Sequence, residues 1–289
     1  MQHRQLDVPV DGGDLRVLLW GTGKHVAVAL HGITASAMSW QAVARHMPLG
    51  WTLAAPDLRG RGRSRDLTGP YGLDRHIADV TTVLRHFGGR PVLAGHSMGA
   101  YAALLTRDAH PSLIRRLVLV DGGLPRPVPD GVDPEASLEA TLGPALTRLR
   151  QTYPDTDAYL DFWRAHPALA DRWTADVEAY ARYDLMGEPG HLRARAIEEA
   201  VRADTRDIVT EKPFADALVR LTKPTPLLTA PLGLLGEPPG FQPPDLVATW
   251  QERVPSLRPI LVPDVNHYTI MYGGQGAAAV ARAITTKAV

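Results

Sequence analysis

The apolar positions of this chain follow two rhythms. Short apolar runs ending in turn residues read as strands: LRVLLW (15–20), HVAVALHG (25–32), WTLAAPD (51–57), RPVLAGHS (90–97) and IRRLVLVDGG (114–123). Between them the period lengthens. SAMSWQAVARHM (36–47) and LDRHIADVTTVLRHF (73–87) read as helices, the second with Ile77, Val80 and Leu84 on one stripe. This alternation predicts an α/β fold with a mostly parallel central sheet flanked by helices.

The rhythm breaks at the Pro/Gly-rich GLPRPVPDGVDP. From about 134 to 209 the spacing is helical only. Leu138, Leu142, Leu146 and Leu149 keep it, with Gly143-Pro144 expected to split that helix. Tyr159, Phe162 and Trp163 share one face, and so do Trp173, Val177 and Tyr180; Leu192, Ile197 and Val201 mark a last helix. A second break, LTKPTPLL (221–228), precedes a return to alternation. There APLGLLG (230–236) and RPILVPD (258–264) read as strands, PDLVATWQERV (244–254) and GGQGAAAVARAI (273–284) as helices. The simplest organisation is one α/β core domain, 1–124 plus 225–289, with a helical segment, 125–224, inserted between its halves.

Composition narrows the function classes. Lys+Arg and Asp+Glu balance at 31 each, which argues against nucleic acid or an anionic membrane as the main partner. The 289-residue chain has no Cys, which excludes disulfides, thiolate metal sites and thiol catalysis. The opening MQHRQLDVPVDGGDL shows no apolar signal region, and no apolar run is long enough for a membrane span, so a cytoplasmic protein is expected.

The chemistry centres on Gly95-His96-Ser97-Met98-Gly99. A serine between two glycines, after a strand and at the start of a helix, is forced into a strained turn that presents its Oγ. The glycines stand where a Cβ would clash between strand and helix. The turn after HVAVALHG carries His31-Gly32-Ile33. The backbone N–H groups of Ile33 and Met98 are the expected oxyanion donors, while the His31 imidazole is expected to be structural. His267, in PDVNHYTI after the last strand-like run, follows Ser97 in chain order and is the expected base. His96 adjoins Ser97, but its side chain is expected to point elsewhere.

Together, LHGIT, PDLRGRGRS (56–64), GHSMGA, LVLVDGG, an inserted segment and VPDVNH resemble the α/β-hydrolase fold superfamily, esterase-like members with a helical cap. The resemblance covers nearly the whole chain. It implies a cap inserted after the sixth strand, a serine nucleophile, no cofactor and no metal. Branches that place Asp at the Ser97 position do not fit. It also implies that DLRGRGRS is a surface turn. The acid usually supplied after PLGLLG is not evident, because EPPGFQPP follows and Asp245 reads as a helix cap. Two carboxylates remain: Asp121 at the end of LVLVDGG, which is favoured for its rigid placement, and Glu237.

The inserted segment supplies Tyr159, Phe162, Trp163, Trp173, Tyr180 and Tyr183. Trp163, Trp173, Tyr180 and Met271 are the candidates for a largely apolar pocket. The expected function is hydrolysis of a small hydrophobic ester through an acyl-enzyme on Ser97. A thioesterase or C–C bond hydrolase would use the same residues. A ligand-binding or scaffold protein on the same fold is the non-enzyme alternative.

Overall fold

In the computed structural model, residues 2–125, 133, 143, 145–209 and 211–286 are described. The strands are β1 (Arg4–Val10), β2 (Gly13–Trp20), β3 (His25–Leu30), β4 (Trp51–Pro56), β5 (Val92–His96), β6 (Arg116–Val120), β7 (Leu185–Met186), β8 (Arg193–Ala194), β9 (Thr225–Thr229) and β10 (Leu257–Leu261). Eight of them form one sheet in the order β1-β2-β4-β3-β5-β6-β9-β10. β1 and β2 are antiparallel to each other, and β2 to β4; every pairing from β4 to β10 is parallel. The helices are α1 (Gln41–Arg45), α2 (Leu73–Phe87), α3 (Met98–Ala109), α4 (Thr156–Arg164), α5 (Ala175–Asp184), α6 (Glu198–Ile208), α7 (Glu211–Val219), α8 (Pro244–Arg253), α9 (Thr269–Tyr272) and α10 (Gly274–Thr285). None among the described residues is long and apolar enough to cross a membrane.

Strand pleating divides the core between the two faces of the sheet. In β3, Ala27 and Ala29 join an apolar cluster with Ala277 and Val280 of α10 and with Tyr159, Trp163 and Tyr180 of the inserted segment. Val28 and Leu30 join a second cluster with Val80 and Val83 of α2 and Leu104 of α3. Because both faces are covered, β5 and β9 are buried along their whole length, which explains their unbroken apolar runs. The strand order reverses direction between β3 and β5, the topological switch point at whose carboxyl ends open α/β sheets bind their ligands.

The structure departs from the sequence reading in four places. β1 lacks an apolar signature because it is an edge strand on which only Val8 is buried. The strand near residue 230 is TPLLT, not APLGLLG. Pairing with β6 begins at Leu227, one residue past Pro226, so the missing proline N–H is tolerated and the Pro-rich stretch is not a break. The stretch after Ala230 is irregular, with a single-residue bridge between Leu232 and Asn266. The inserted segment is not helical only. β7 and β8 form a small antiparallel ribbon, Leu192 bridges Tyr153, and α6 starts only at Glu198. Leu138, Leu142 and Pro144, and with them the expected helix split, lie outside the described residues.

Candidate active site

β5 ends at His96, and α3 begins at Met98; Ser97 between them has φ 54° and ψ −123°. Only a turn enforced from several sides holds a non-glycine residue there. The flanking glycines supply that enforcement. A Cβ on Gly95 would lie 2.0 Å from the Gly99 carbonyl oxygen, and one on Gly99 would lie 2.3 Å from the Leu30 oxygen. β3, β5 and α3 therefore meet backbone to backbone beneath the serine. The Ser97 N–H donates to the Val120 carbonyl (3.0 Å), which ties the turn to β6.

Asp121 follows β6 directly, with φ 42° and no exposure. Its Oδ1 accepts from the Ala230 N–H at 3.1 Å, and its Oδ2 stands 2.7 Å from Nδ1 of His267. The carboxylate accepts, so Nδ1 carries the proton and Nε2 is left with a lone pair. Asp121 also lies beside the Ser97 turn: a Cβ on the next residue, Gly122, would lie 2.4 Å from the Ser97 carbonyl oxygen. Glu237, by contrast, is exposed, with only its backbone carbonyl tied, to the Gly233 N–H.

The loop bearing His267 is fixed by Asn266. Its Oδ1 accepts from the Tyr268 and Thr269 amides, and its Nδ2 donates to Ala168 of the inserted segment at 2.7 Å. Against expectation, the His96 side chain points toward His267. Its ring packs on His267 with centroids 4.7 Å apart, and its Nε2–H donates to the His267 carbonyl at 3.0 Å. Burial and the neighbouring His267 hold His96 well below the ordinary histidine range. Phe241 covers His267 at 4.7 Å.

The turn after β3 passes close to the serine; a Cβ on Gly32 would lie 3.3 Å from Ser97 Cβ and 3.7 Å from its Oγ. His31 is wholly buried. Its Nε2 accepts the Leu58 N–H (3.0 Å), so Nδ1 carries the proton and donates to the Gly32 carbonyl (2.8 Å). Burial pulls its pKa down to about 3, so the ring is neutral. The amides of Ile33 and Met98 have no partner among the described residues.

DLRGRGRS is not a surface turn. Arg59 is 1% exposed and Arg61 is wholly buried. Arg59 forms a bidentate pair with Asp79 of α2, at 2.9 and 3.0 Å. Arg61 lies 2.5 Å from Asp204 of α6, and its Nε donates to the Ile33 carbonyl at 3.0 Å. Burial is tolerated because each charge is matched: Arg59 is hydrogen-bonded to its carboxylate, while Arg61 meets Asp204 as an ion pair and directs its hydrogen bonds to the Ile33 and Arg59 carbonyls. Asp57, in the same motif, accepts from the Ala37 and Arg63 amides and from the Tyr183 hydroxyl at 2.6 Å.

Of the pocket candidates, Trp163, Tyr180 and Met271 are buried together in the cluster shared by the inserted segment and α10. Trp173 sits at its margin beneath the Arg164 guanidinium, 5.3 Å from its ring centroid. Beside them Arg148, which sequence spacing did not single out, is 1% exposed. It pairs with Asp184, donates to the Tyr159 hydroxyl at 2.8 Å and reaches the Thr34 carbonyl at 3.0 Å. Arg148 falls in no motif; Arg61 and Asn266 fall within PDLRGRGRS and VPDVNH, but the motifs gave no sign of what their side chains hold.

The family model described as the alpha/beta hydrolase family matches residues 27–283. Lipase LipV of Mycobacterium tuberculosis is 34% identical over 37% of this chain and 41% of its own length. The chain likewise spans 44% of each of the next two curated relatives it matches. A 2-(acetamidomethylene)succinate hydrolase of Mesorhizobium japonicum is 26% identical over 82% of this chain and 80% of its own. Among solved structures, E-2-(acetamidomethylene)succinate hydrolase superposes with a TM-score of 0.80 at 21% identity, covering 99% of this chain and 100% of that one.

Proposed function

From the premise that the chain belongs to the alpha/beta hydrolase family, we propose that it is a serine hydrolase cleaving a small hydrophobic carboxylic ester through an acyl-enzyme on Ser97. The observation that carries this reading is the His267–Asp121 bond of 2.7 Å beside a serine held at positive φ. Asp121 fixes the His267 tautomer that leaves Nε2 free to take the Ser97 proton, and its charge stabilises the imidazolium that results. Ser97 Oγ attacks the carbonyl carbon, and the oxyanion is held by the Ile33 amide in the turn after β3 and the Met98 amide at the start of α3. The imidazolium then protonates the departing alkoxide as the C–O bond breaks. Water, deprotonated by His267, releases the acid and restores the serine.

On this reading the core domain is 1–124 plus 225–289. The segment 125–224 is a cap whose Trp163, Trp173 and Tyr180, with Met271, border an apolar pocket. The same groups would serve a thioester or a C–C bond, and the chosen substrate class rests on the apolar surroundings.

The test is covalent labelling with a fluorophosphonate, followed by p-nitrophenyl esters of graded length and acyl-thioesters, with Ser97→Ala as blank. Labelling at Ser97 and ester turnover are expected. An intact protein that stays unlabelled and inert would instead be a binding protein on a hydrolase fold.

A further inference from the structure

The turn carrying Ile33 is held by its carbonyls. The Gly32 carbonyl accepts from His31 Nδ1 (2.8 Å) and from the Ala35 N–H (3.1 Å). The Ile33 carbonyl accepts from Arg61 Nε, and the Thr34 carbonyl from Arg148 Nη2, each at 3.0 Å. Three successive peptide planes are thereby fixed. In a trans peptide the N–H points opposite to the preceding carbonyl, so anchoring Gly32 aims the Ile33 N–H, and anchoring the next two planes stops the turn from pivoting.

The two arginines are alike in a second respect. Each is almost wholly buried, and each is matched by a carboxylate with no exposure: Asp204 on α6 for Arg61, and Asp184 at the end of α5 for Arg148. Asp204 is steadied by His76 Nε2 at 3.0 Å, and Asp184 accepts from the Tyr159 hydroxyl. Both carboxylates belong to the segment between β6 and β9, as does Arg148 itself. The side chain of Ile33 also packs against Leu146 and Val201 of that segment.

We infer that Arg61–Asp204 and Arg148–Asp184 are positioning pairs through which the inserted segment sets the orientation of the Ile33 amide for the tetrahedral intermediate. This rests on the serine-hydrolase reading. A preorganised donor stabilises the transition state because it needs no reorientation when charge develops. A donor set by the inserted segment makes turnover depend on how that segment is seated, even where ground-state binding does not. A purely structural pair would hold the inserted segment on the core and leave the chemical step alone.

The experiment uses the full chain with two paired replacements, Arg61→Met with Asp204→Asn and Arg148→Met with Asp184→Asn. Neutralising both partners avoids an unpaired buried charge, and each Asn still accepts from His76 or Tyr159. For variants that melt like wild type and are still labelled by the fluorophosphonate, kcat on a p-nitrophenyl ester should fall about 10–100-fold, less than loss of a donor outright. KM should stay within about two-fold, the pattern of an interaction made in the transition state. Affinity for a trifluoromethyl ketone, which forms a tetrahedral adduct on Ser97, should weaken by the same factor as kcat. Should a paired variant fail to fold, Arg61→Lys and Arg148→Lys decide. A lysine keeps the charge but cannot span carboxylate and carbonyl as the fork does, so the same kcat and ketone losses are expected. Folded variants with unchanged kcat and ketone affinity overturn the inference. A wild-type protein that is never labelled removes the hydrolase reading itself, and this one with it.

Discussion

His267 Nδ1 and Asp121 Oδ2 stand 2.7 Å apart although 146 residues separate them in the chain. Both are almost fully buried, and Asp121 is held at the end of β6 by a second bond to the Ala230 amide. Replacing Asp121 with Asn keeps the shape but lets the amide NH2 face the ring, which favours the wrong tautomer. Turnover of the best ester should fall about 10³–10⁴-fold. Glu237→Gln, on an exposed side chain, should leave turnover within about two-fold, the usual outcome for a surface change. Steady-state kinetics of the two variants side by side decide the assignment, and an inactive Glu237→Gln with an active Asp121→Asn would reverse it.

Gly122 carries a different constraint. A Cβ there would fall 2.4 Å from the Ser97 carbonyl oxygen and 2.8 Å from Ser97 Cα. These are backbone atoms of a strained turn, so no side-chain movement relieves the clash. Gly122→Ala should cost about 1–3 kcal/mol of stability, as overpacking does. It should also slow fluorophosphonate labelling, because relief must displace Ser97. Denaturant melts and labelling rates measured on the same preparation check both. A variant with wild-type values for each would mean that the turn is looser than its packing indicates.

These two contacts show which parts of the molecule were legible in the sequence. The Ser97 turn is written locally, because three backbones cross within a few residues and only glycine fits at Gly95 and Gly99. The inner parallel strands β3 to β6 were legible because they are covered on both faces and therefore almost uniformly apolar. β1 was not, since an edge strand buries little, and β9 was hidden by a proline that its place in the sheet tolerates. Arg61 and Arg148 were out of reach for another reason. Their partners Asp204 and Asp184 lie on distant helices, and no local spacing distinguishes a buried matched charge from a solvated one. The same holds for His96, whose side-chain direction is fixed by the His267 loop and not by its neighbours.

Tyr183 links the inserted segment to the core through one buried bond, its hydroxyl donating to Asp57 Oδ2 at 2.6 Å. Burial raises the Asp57 carboxyl, while this hydroxyl and the Ala37 and Arg63 amides work against the rise. Tyr183→Phe removes one of the three donors and leaves the carboxylate less well satisfied. A loss of about 1.5–3 kcal/mol is expected, the range for a hydrogen bond to a charged group. It should appear as a lower urea midpoint with an unchanged slope. An unchanged midpoint would mean that water replaces the hydroxyl and that the bond contributes nothing net.

The neutral buried histidines make stability depend on pH in a defined direction. Burial holds His31 down to about 3 and His96 well below its ordinary value, whereas both titrate near 6.5 in the unfolded chain. Above about pH 7 both are neutral in either state and stability is insensitive to them. Below about 6.5 the unfolded chain takes up protons that the folded chain refuses, so folding weakens as pH falls. Each imidazole contributes about 1.4 kcal/mol per pH unit once its unfolded form is protonated, and the loss from His31 continues down to about 3. His166, also lowered by burial, adds in the same direction. Urea titrations at pH 7.5, 6.5, 5.5 and 5.0 should show this decline, with His96→Gln flattening it by about 1.4 kcal/mol per pH unit. A wild-type slope in His96→Gln would show that His96 is protonated in the folded state, contrary to its donation of Nε2–H from a buried, neutral ring.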